Sequence, residues 1–302
     1  SSLILHPSSF IPHPSSLIPF VYLGYNTNGL AHHDLLDAVD LLADIGYRGV
    51  AITIDHGALS PRDPHWQRQL ERLWERLQRY QMRSVIETGA RYLLDPRAKH
   101  QPTLLTADAE QRRRRVDLLL HALHIADKLG SKCVSLWSGA PSDAAPPDVA
   151  MQRLADALVP VVEQATAVGI PLAFEPEPGM FIDTMARYDE LVTQLDSPAL
   201  RLTLDIGHLH CQGETPIAGQ IRRWGPRLVN VHLEDMRAGV HEHLMFGEGE
   251  IDFPPIFAAL GQIEYAHGVF VELSRHSHMG PEAAAKAFDF LRSYFPPPAE
   301  PA

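Results

Sequence analysis

The chain has 302 residues, 45% hydrophobic and 21% charged, which is enough apolar material for one barrel-sized domain or two smaller ones and too much for a disordered chain. Its 37 acidic residues exceed its 26 basic ones, for a formal charge of −11. That field repels phosphate backbones, so neither nucleic acid nor an anionic membrane is an expected partner. Only Cys133 and Cys211 are present, too few for a disulfide framework or a Cys-rich zinc site, and no apolar run reaches the roughly 18 residues of a spanning helix. The expectation is a cytoplasmic protein.

The chain opens on a seven-residue repeat, Ser-Ser-Leu-Ile-Leu-His-Pro, Ser-Ser-Phe-Ile-Pro-His-Pro and Ser-Ser-Leu-Ile-Pro-Phe. Pro7, Pro12, Pro14 and Pro19 exclude a continuous helix, so residues 1–19 read as a low-complexity, disordered tail, and Pro296 to Ala302 as a proline-rich exit. Residues 20–295 form the domain. Short apolar runs there alternate with helical patterns: Phe20 to Tyr25, Gly49 to Ile54, Arg83 to Thr88, Cys133 to Trp137, Leu172 to Glu175, Leu202 to Asp205, Leu228 to His232 and Val269 to Glu272. Between them, Leu35, Leu36, Val39, Leu42 and Ile45 repeat at the spacing that buries one helix face, and Gly46, Gly130 and Gly169 mark helix stops. Eight βα units are the number at which a parallel sheet closes and loses its edges. The expected fold is therefore α/β, a single-domain (β/α)8 TIM barrel, rather than an open doubly wound sheet. Leu-Gly-Tyr-Asn-Thr-Asn-Gly after the first strand also lacks the glycine pattern of a dinucleotide fold.

In such a barrel the strand ends converge on one mouth. Each of the last four strands ends in a residue able to bind metal: Leu-Ala-Phe leads to Glu175, Leu-Thr-Leu to Asp205, Val-Asn-Val to His232 and Val-Phe-Val to Glu272. Three carboxylates gathered there repel one another unless cations pair with them, and the strand ends carry no lysine or arginine; the nearest in sequence are Arg237 and Arg275. A divalent ion resolves the conflict. One imidazole with three carboxylates is a hard donor set, which suits Mn²⁺ first, with Mg²⁺, Co²⁺ or Zn²⁺ as alternatives.

These motifs give the chain its resemblance to a known family. Phe-Glu-Pro-Glu-Pro-Gly around Glu175, Leu-Asp-Ile-Gly-His ending at His208, Val-His-Leu-Glu-Asp around His232, Phe-Gly-Glu-Gly-Glu-Ile-Asp-Phe from Phe246 and Val-Glu-Leu around Glu272 resemble the xylose isomerase-like barrel superfamily. Its members include ketose 3-epimerases, inosose dehydratase and apurinic endonucleases. The resemblance is strong over the second half of the chain and rests on barrel pattern alone in the first. It implies that Glu175, Asp205, His232 and Glu272 bind one divalent ion, that Glu175 and Glu272 are the acid/base pair, and that His208 contacts substrate oxygens. The expected function is a metal-dependent isomerase or epimerase of a sugar or keto-sugar, acting through a metal-stabilised enediolate. A lyase or dehydratase would use the same residues. An apurinic endonuclease is disfavoured by the net charge, and a non-catalytic metal- or sugar-binding barrel is the remaining alternative. Homo-oligomers are left open.

Further candidates surround this set. His241 and His243 fall on one side of an extended segment, suited to a second metal, to substrate hydroxyls or to a solvated loop. Arg237 holds a substrate oxygen, orients Glu272 or is a plain surface arginine. Glu87 and Trp137 close earlier strands and face the mouth, Trp137 as an apolar wall under a sugar ring. The segment from Gly89 to Thr106, with Arg91, Lys99 and His100, reads as a lid. Arg112 to Arg115 read as a solvated helix face, and the turn at Gly247 and Gly249 as a weak phosphate cradle. His276 and His278 are expected near the mouth, and His210 and Cys211 on its wall.

Overall fold

The computed structural model describes residues 21–295; the readings of residues 1–19 and 296–302 as tails lie outside the described residues. Eight parallel strands close into a barrel: β1 (Tyr22–Asn26), β2 (Gly49–Thr53), β3 (Arg83–Glu87), β4 (Val134–Leu136), β5 (Leu172–Phe174), β6 (Leu200–Asp205), β7 (Leu228–Leu233) and β10 (Gly268–Val271). The hairpin β8 (Asp235–Arg237) and β9 (Val240–Leu244) stands on the β7 loop. Around the barrel run α1 (Leu35–Ile45), α2 (Trp66–Tyr80), α3 (Ala109–Leu129), α4 (Pro147–Val168), α5 (Met185–Leu195), α6 (Ile206–Cys211), α7 (Ile217–Trp224), α8 (Phe253–Gln262) and α9 (Gly280–Leu291). All eight strands expected from the sequence are present. Gly46, Gly130 and Gly169 cap α1, α3 and α4 in the left-handed region, at φ 119°, 66° and 70°, where a side chain would be strained.

Because side chains alternate across a strand, the barrel interior is built in layers. The floor is apolar: Tyr22, Ala51, Val85, Cys133, Ala173, Val229 and Phe270 pack together, apart from the larger core between sheet and helices. Phe270 fills the lumen so completely that a Cβ on Gly24 would lie 2.3 Å from its ring, and Gly49 and Gly268 are crowded by the same ring. The next layer up carries Ser135, Thr203 and Asn230, joined by hydrogen bonds of 3.1 and 3.2 Å. One step further, two residues beyond Val85, Ala173, Thr203, Asn230 and Phe270, stand Glu87, Glu175, Asp205, His232 and Glu272. Period-two alternation thus carries the polar groups to the mouth on a rigid, fully packed stem.

Candidate metal centre and active site

Glu175, Asp205, His232 and Glu272 each offer a ligand atom, and these atoms all lie within 4.8 Å of one another. His232 Nδ1 is 3.0 Å from Glu175 Oε1, 2.9 Å from Glu272 Oε2 and 3.9 Å from Asp205 Oδ2. Edges near 3 Å between donors are what metal–ligand bonds of about 2.1 Å at right angles produce. Asp205 is the N-cap of α6: its Oδ1 accepts the His208 N–H at 2.8 Å, while its Oδ2 is buried without a hydrogen-bond partner. The other imidazole nitrogen, His232 Nε2, lies 3.1 Å from Glu87 Oε1. A carboxylate behind the imidazole places the proton on Nε2 and turns the Nδ1 lone pair inward, the usual support of a metal-bound histidine. The donor set and its supports fit one divalent ion.

The electrostatics agree. Burial opposes charge on His232, yet Glu175, Glu87 and Glu272 outweigh it and hold the imidazole well above its ordinary pKa. Burial pushes Glu175 up to about 8, against the pull of His232. Glu272 and Asp205 feel the same burial but are held below their usual range, Glu272 chiefly by His232 and Asp205 chiefly by His208. Glu177 and Glu234 rise well above the carboxylate range, through burial first and then through Glu175 and Asp205 respectively. Without a cation, then, the cluster is tolerated by taking up protons, which a dication at its centre makes unnecessary.

A cavity of about 400 Å³ opens above this floor. Of the sequence-derived candidates, Glu87, Trp137, Glu175, His232, His241, His243 and Glu272 line it, while Asp205 and His208 are buried and absent from its lining. His241 and His243 do meet on one side of β9, beside His208; the three offer ligand atoms within 4.8 Å of one another, and His208 Nε2 is 3.1 Å from His241 Nε2. Burial lowers His208 to about 4, against the pull of Asp205. Glu87 reaches the cavity but spends one oxygen on His232, so its placement is that of a support for the imidazole.

Several expectations are corrected. Arg237 is exposed on β8 and donates to the Glu248 carbonyl at 3.0 Å, away from the cavity; Arg275 lines the cavity in its place. The hairpin reverses the chain after β8, which turns Arg237 outward. The Gly247–Gly249 turn has no free cradle: Gly247 N–H donates to Asp235 Oδ2 at 2.8 Å, and a Cβ on Gly249 would lie 2.2 Å from Asp235 Oδ1. His276 and His278 are absent from the lining. Arg115 is not on a solvated face but 3% exposed, donating to the carbonyls of Pro102, Thr88 and His100 at 2.9, 2.9 and 2.7 Å with its guanidinium 5.0 Å from the Trp137 ring centre. Segment 89–106 is consequently a packed wall, with Leu93, Leu104 and Leu105 buried, rather than a lid.

Sequence reasoning missed four contributors. Asn28 Nδ2 donates to Glu272 Oε1 at 2.8 Å; Glu177 lines the cavity; Asn230 lies 3.1 Å from His232 Nε2; and Glu234 is fully buried with neither carboxylate oxygen hydrogen-bonded. Asn230 and Glu234 were visible in principle, two residues either side of His232 on one strand face, whereas nothing local marks Asn28.

Gly207 exists because of Glu234. Its Cβ would lie 1.9 Å from Glu234 Oε1 and 2.6 Å from Met236 Cε. Alanine ordinarily favours a helix over glycine by about 1 kcal/mol; here Gly207→Ala is expected to cost about 1–3 kcal/mol instead, through overpacking. Urea denaturation checks the sign, and a stabilised variant would refute the close approach.

The family model described as a xylose isomerase-like TIM barrel matches residues 39–294. The chain belongs to that family. Among curated relatives, the L-ribulose-5-phosphate 3-epimerase UlaE of Shigella flexneri serotype 5b is 24% identical over 262 residues, covering 85% of this chain and 89% of the relative. The D-allulose 3-epimerase from Methylomonas sp. superposes with a TM-score of 0.72 at 19% identity, covering 93% of this chain and 100% of that one. The IolI protein, solved with a bound zinc atom, gives 0.71 at 19% identity over 91% and 99%. At these identities the solved structures establish the shared barrel. Among the described residues, no helix is long and apolar enough to cross a membrane.

Proposed function

We propose that the protein is a divalent-metal-dependent sugar isomerase or epimerase that moves a proton on a carbon next to a carbonyl. The observation that carries this reading is the convergence of Glu175, Asp205, His232 and Glu272 at the mouth of a closed barrel. The curated relative named as a 3-epimerase supports the reaction class. Glu175, Asp205, His232 and Glu272 would hold the ion, with Mn²⁺ first among candidates because the donors are mostly carboxylate oxygens. When bound, such an ion supplies Lewis-acid stabilisation of the oxyanion that develops as the C–H proton leaves.

The chain's own groups do the proton work. Glu175 and Glu272 stand just past β5 and β10, with β6 and β7 between those strands in the barrel, so their carboxylates approach the centre from different sides. One takes a proton from one face of the carbon and the other returns a proton to the opposite face, which inverts it. Their environments pull the two apart, Glu175 up and Glu272 down, the contrast that acid and base partners need. Asn28 fixes Glu272 through its 2.8 Å hydrogen bond. Trp137 offers a ring face as a wall, and His208, His241 and His243 present ring nitrogens for substrate hydroxyls.

The test is incubation with Mn²⁺ and a panel of ketoses, inososes and keto-glycosides in D₂O, read by NMR. Deuterium is expected to enter one carbon with the skeleton intact. An unsaturated product or a released aglycone would replace this reading by a lyase, and no exchange with any of them would overturn it.

A further inference from the structure

A second cleft flanks the cavity above the metal centre. Asn28, Thr53 and Arg91 border it, and the same three residues border a second cleft of about 270 Å³. This cleft lies over the β1 and β2 loops, between the turn Thr27–Leu30, the start of α1 and the tight turn from Asp55 to Ala58, which an isolated bridge closes. Leu30, Leu35 and Ala38 give it apolar surface, while His33, Asp55 and His56 supply polar groups. Such a mixture suits a ring with apolar faces and a polar rim, as sugars and phenols have.

We propose that this cleft is a second subsite of the active cavity and that the substrate is accordingly a glycoside. A keto-sugar ring sits over Glu175 and Glu272 and carries, through its glycosidic oxygen, a second ring that occupies the cleft. The inference rests on the isomerase reading for the role of the metal centre. It rests on the cleft for the size of the substrate.

Three observations support it. Ligand sites run from roughly 300 Å³ upward, so the inner cavity of about 400 Å³ already houses one sugar ring and the cleft is surplus to a monosaccharide. The border is chemically equipped for an ether or hydroxyl oxygen: Arg91 uses one guanidinium nitrogen on the Asn28 carbonyl at 3.0 Å and has further N–H donors, while Asn28 Oδ1 is buried without a protein partner. Asn28 also holds Glu272, so the border touches the proton-transfer machinery itself and a ring bound beyond it is registered at the reacting carbon.

The experiment compares a free 3-keto-hexose with its phenyl glycoside and its glucosyl glycoside on the full chain. Saturation-transfer NMR in Mg²⁺ reads whether protons of the second ring contact the protein, and deuterium incorporation in Mn²⁺ reads kcat/KM. The second-ring protons are expected to receive saturation, and the better glycoside to exceed the free sugar by about tenfold in kcat/KM, since remote binding energy raises turnover. The phenyl and glucosyl arms identify which ring the cleft prefers. Gly57→Trp adds bulk to the cleft lining at a position where a Cβ meets nothing within 4 Å, with the fold checked by circular dichroism; it should abolish the second-ring saturation and bring the three compounds within twofold of one another. Absence of second-ring saturation, or saturation untouched by Gly57→Trp, overturns the proposal. If none of the three exchanges deuterium, the isomerase reading falls for them, while the saturation measurement still decides the cleft.

Discussion

A chain carrying Glu175→Gln together with Asp205→Asn is expected to lose its divalent ion and with it at least about 10⁴-fold in turnover, because Lewis-acid assistance and one proton-transfer group go at once. Metal analysis after gel filtration should fall from about one ion per chain, the content of a single four-ligand site, to background. The fold should survive. In metal-free buffer Asp205→Asn removes a buried charge from a cluster whose ligand atoms lie within 4.8 Å of one another, and Glu175→Gln replaces a carboxyl that burial already pushes up to about 8, so thermal stability is expected to hold or rise. A variant that still binds the ion, or that loses it only by unfolding, would refute the placement of the centre. Glu87→Gln makes a graded companion: its carboxylate backs His232 Nε2 at 3.1 Å, and loss of such a partner typically weakens metal affinity by about 10–100-fold without changing the ligand set.

Arg115→Met is expected to destabilise the protein by about 3–5 kcal/mol. The guanidinium is buried, with burial drawing its pKa down to about 10, and three carbonyls depend on it: those of Thr88, His100 and Pro102. Each buried acceptor left unmet costs about 1–3 kcal/mol, partly offset by no longer burying a charge. For a domain of this size the loss corresponds to a fall in Tm of roughly 10 °C, checked by calorimetry alongside denaturant unfolding. Arg115→Lys should recover little, because an ammonium lacks the planar fork that serves three acceptors. Since the wall it fixes carries Arg91, Lys99 and His100 into the cavity, KM should rise in the lysine variant more than kcat falls. A change under 1 kcal/mol for Arg115→Met would show that the wall holds itself.

The different fates of individual residues explain why some of the site was legible in advance. Glu175, Asp205, His232 and Glu272 each end an apolar strand, and a strand end in a closed barrel has one destination. Their meeting follows from local pattern plus closure. The same holds for His241 and His243, because alternation on β9 fixes their common side. Arg115 and Arg237 went the other way. Arg115 sits in a run of four arginines flanked by acids, the pattern of a solvated face, and only the wall folded over α3 buries it. Arg237 follows His232 and its strand closely, and only the reversal at β8 and β9 turns it outward. Asn28 bonds to a residue at the far end of the chain, so no window of sequence contains the pair.

Taken alone, the order of residues determined the count of strands, their closure, the convergence of Glu175, Asp205, His232 and Glu272 and the helix stops, since each follows from side-chain periodicity and backbone preference acting over a few residues. Tertiary packing decided which nitrogen of His232 turns inward, which carboxylate backs it, which arginines are buried and where the cavity extends. Those outcomes depend on contacts between segments distant in the chain, whose energies exist only once the barrel has closed around them.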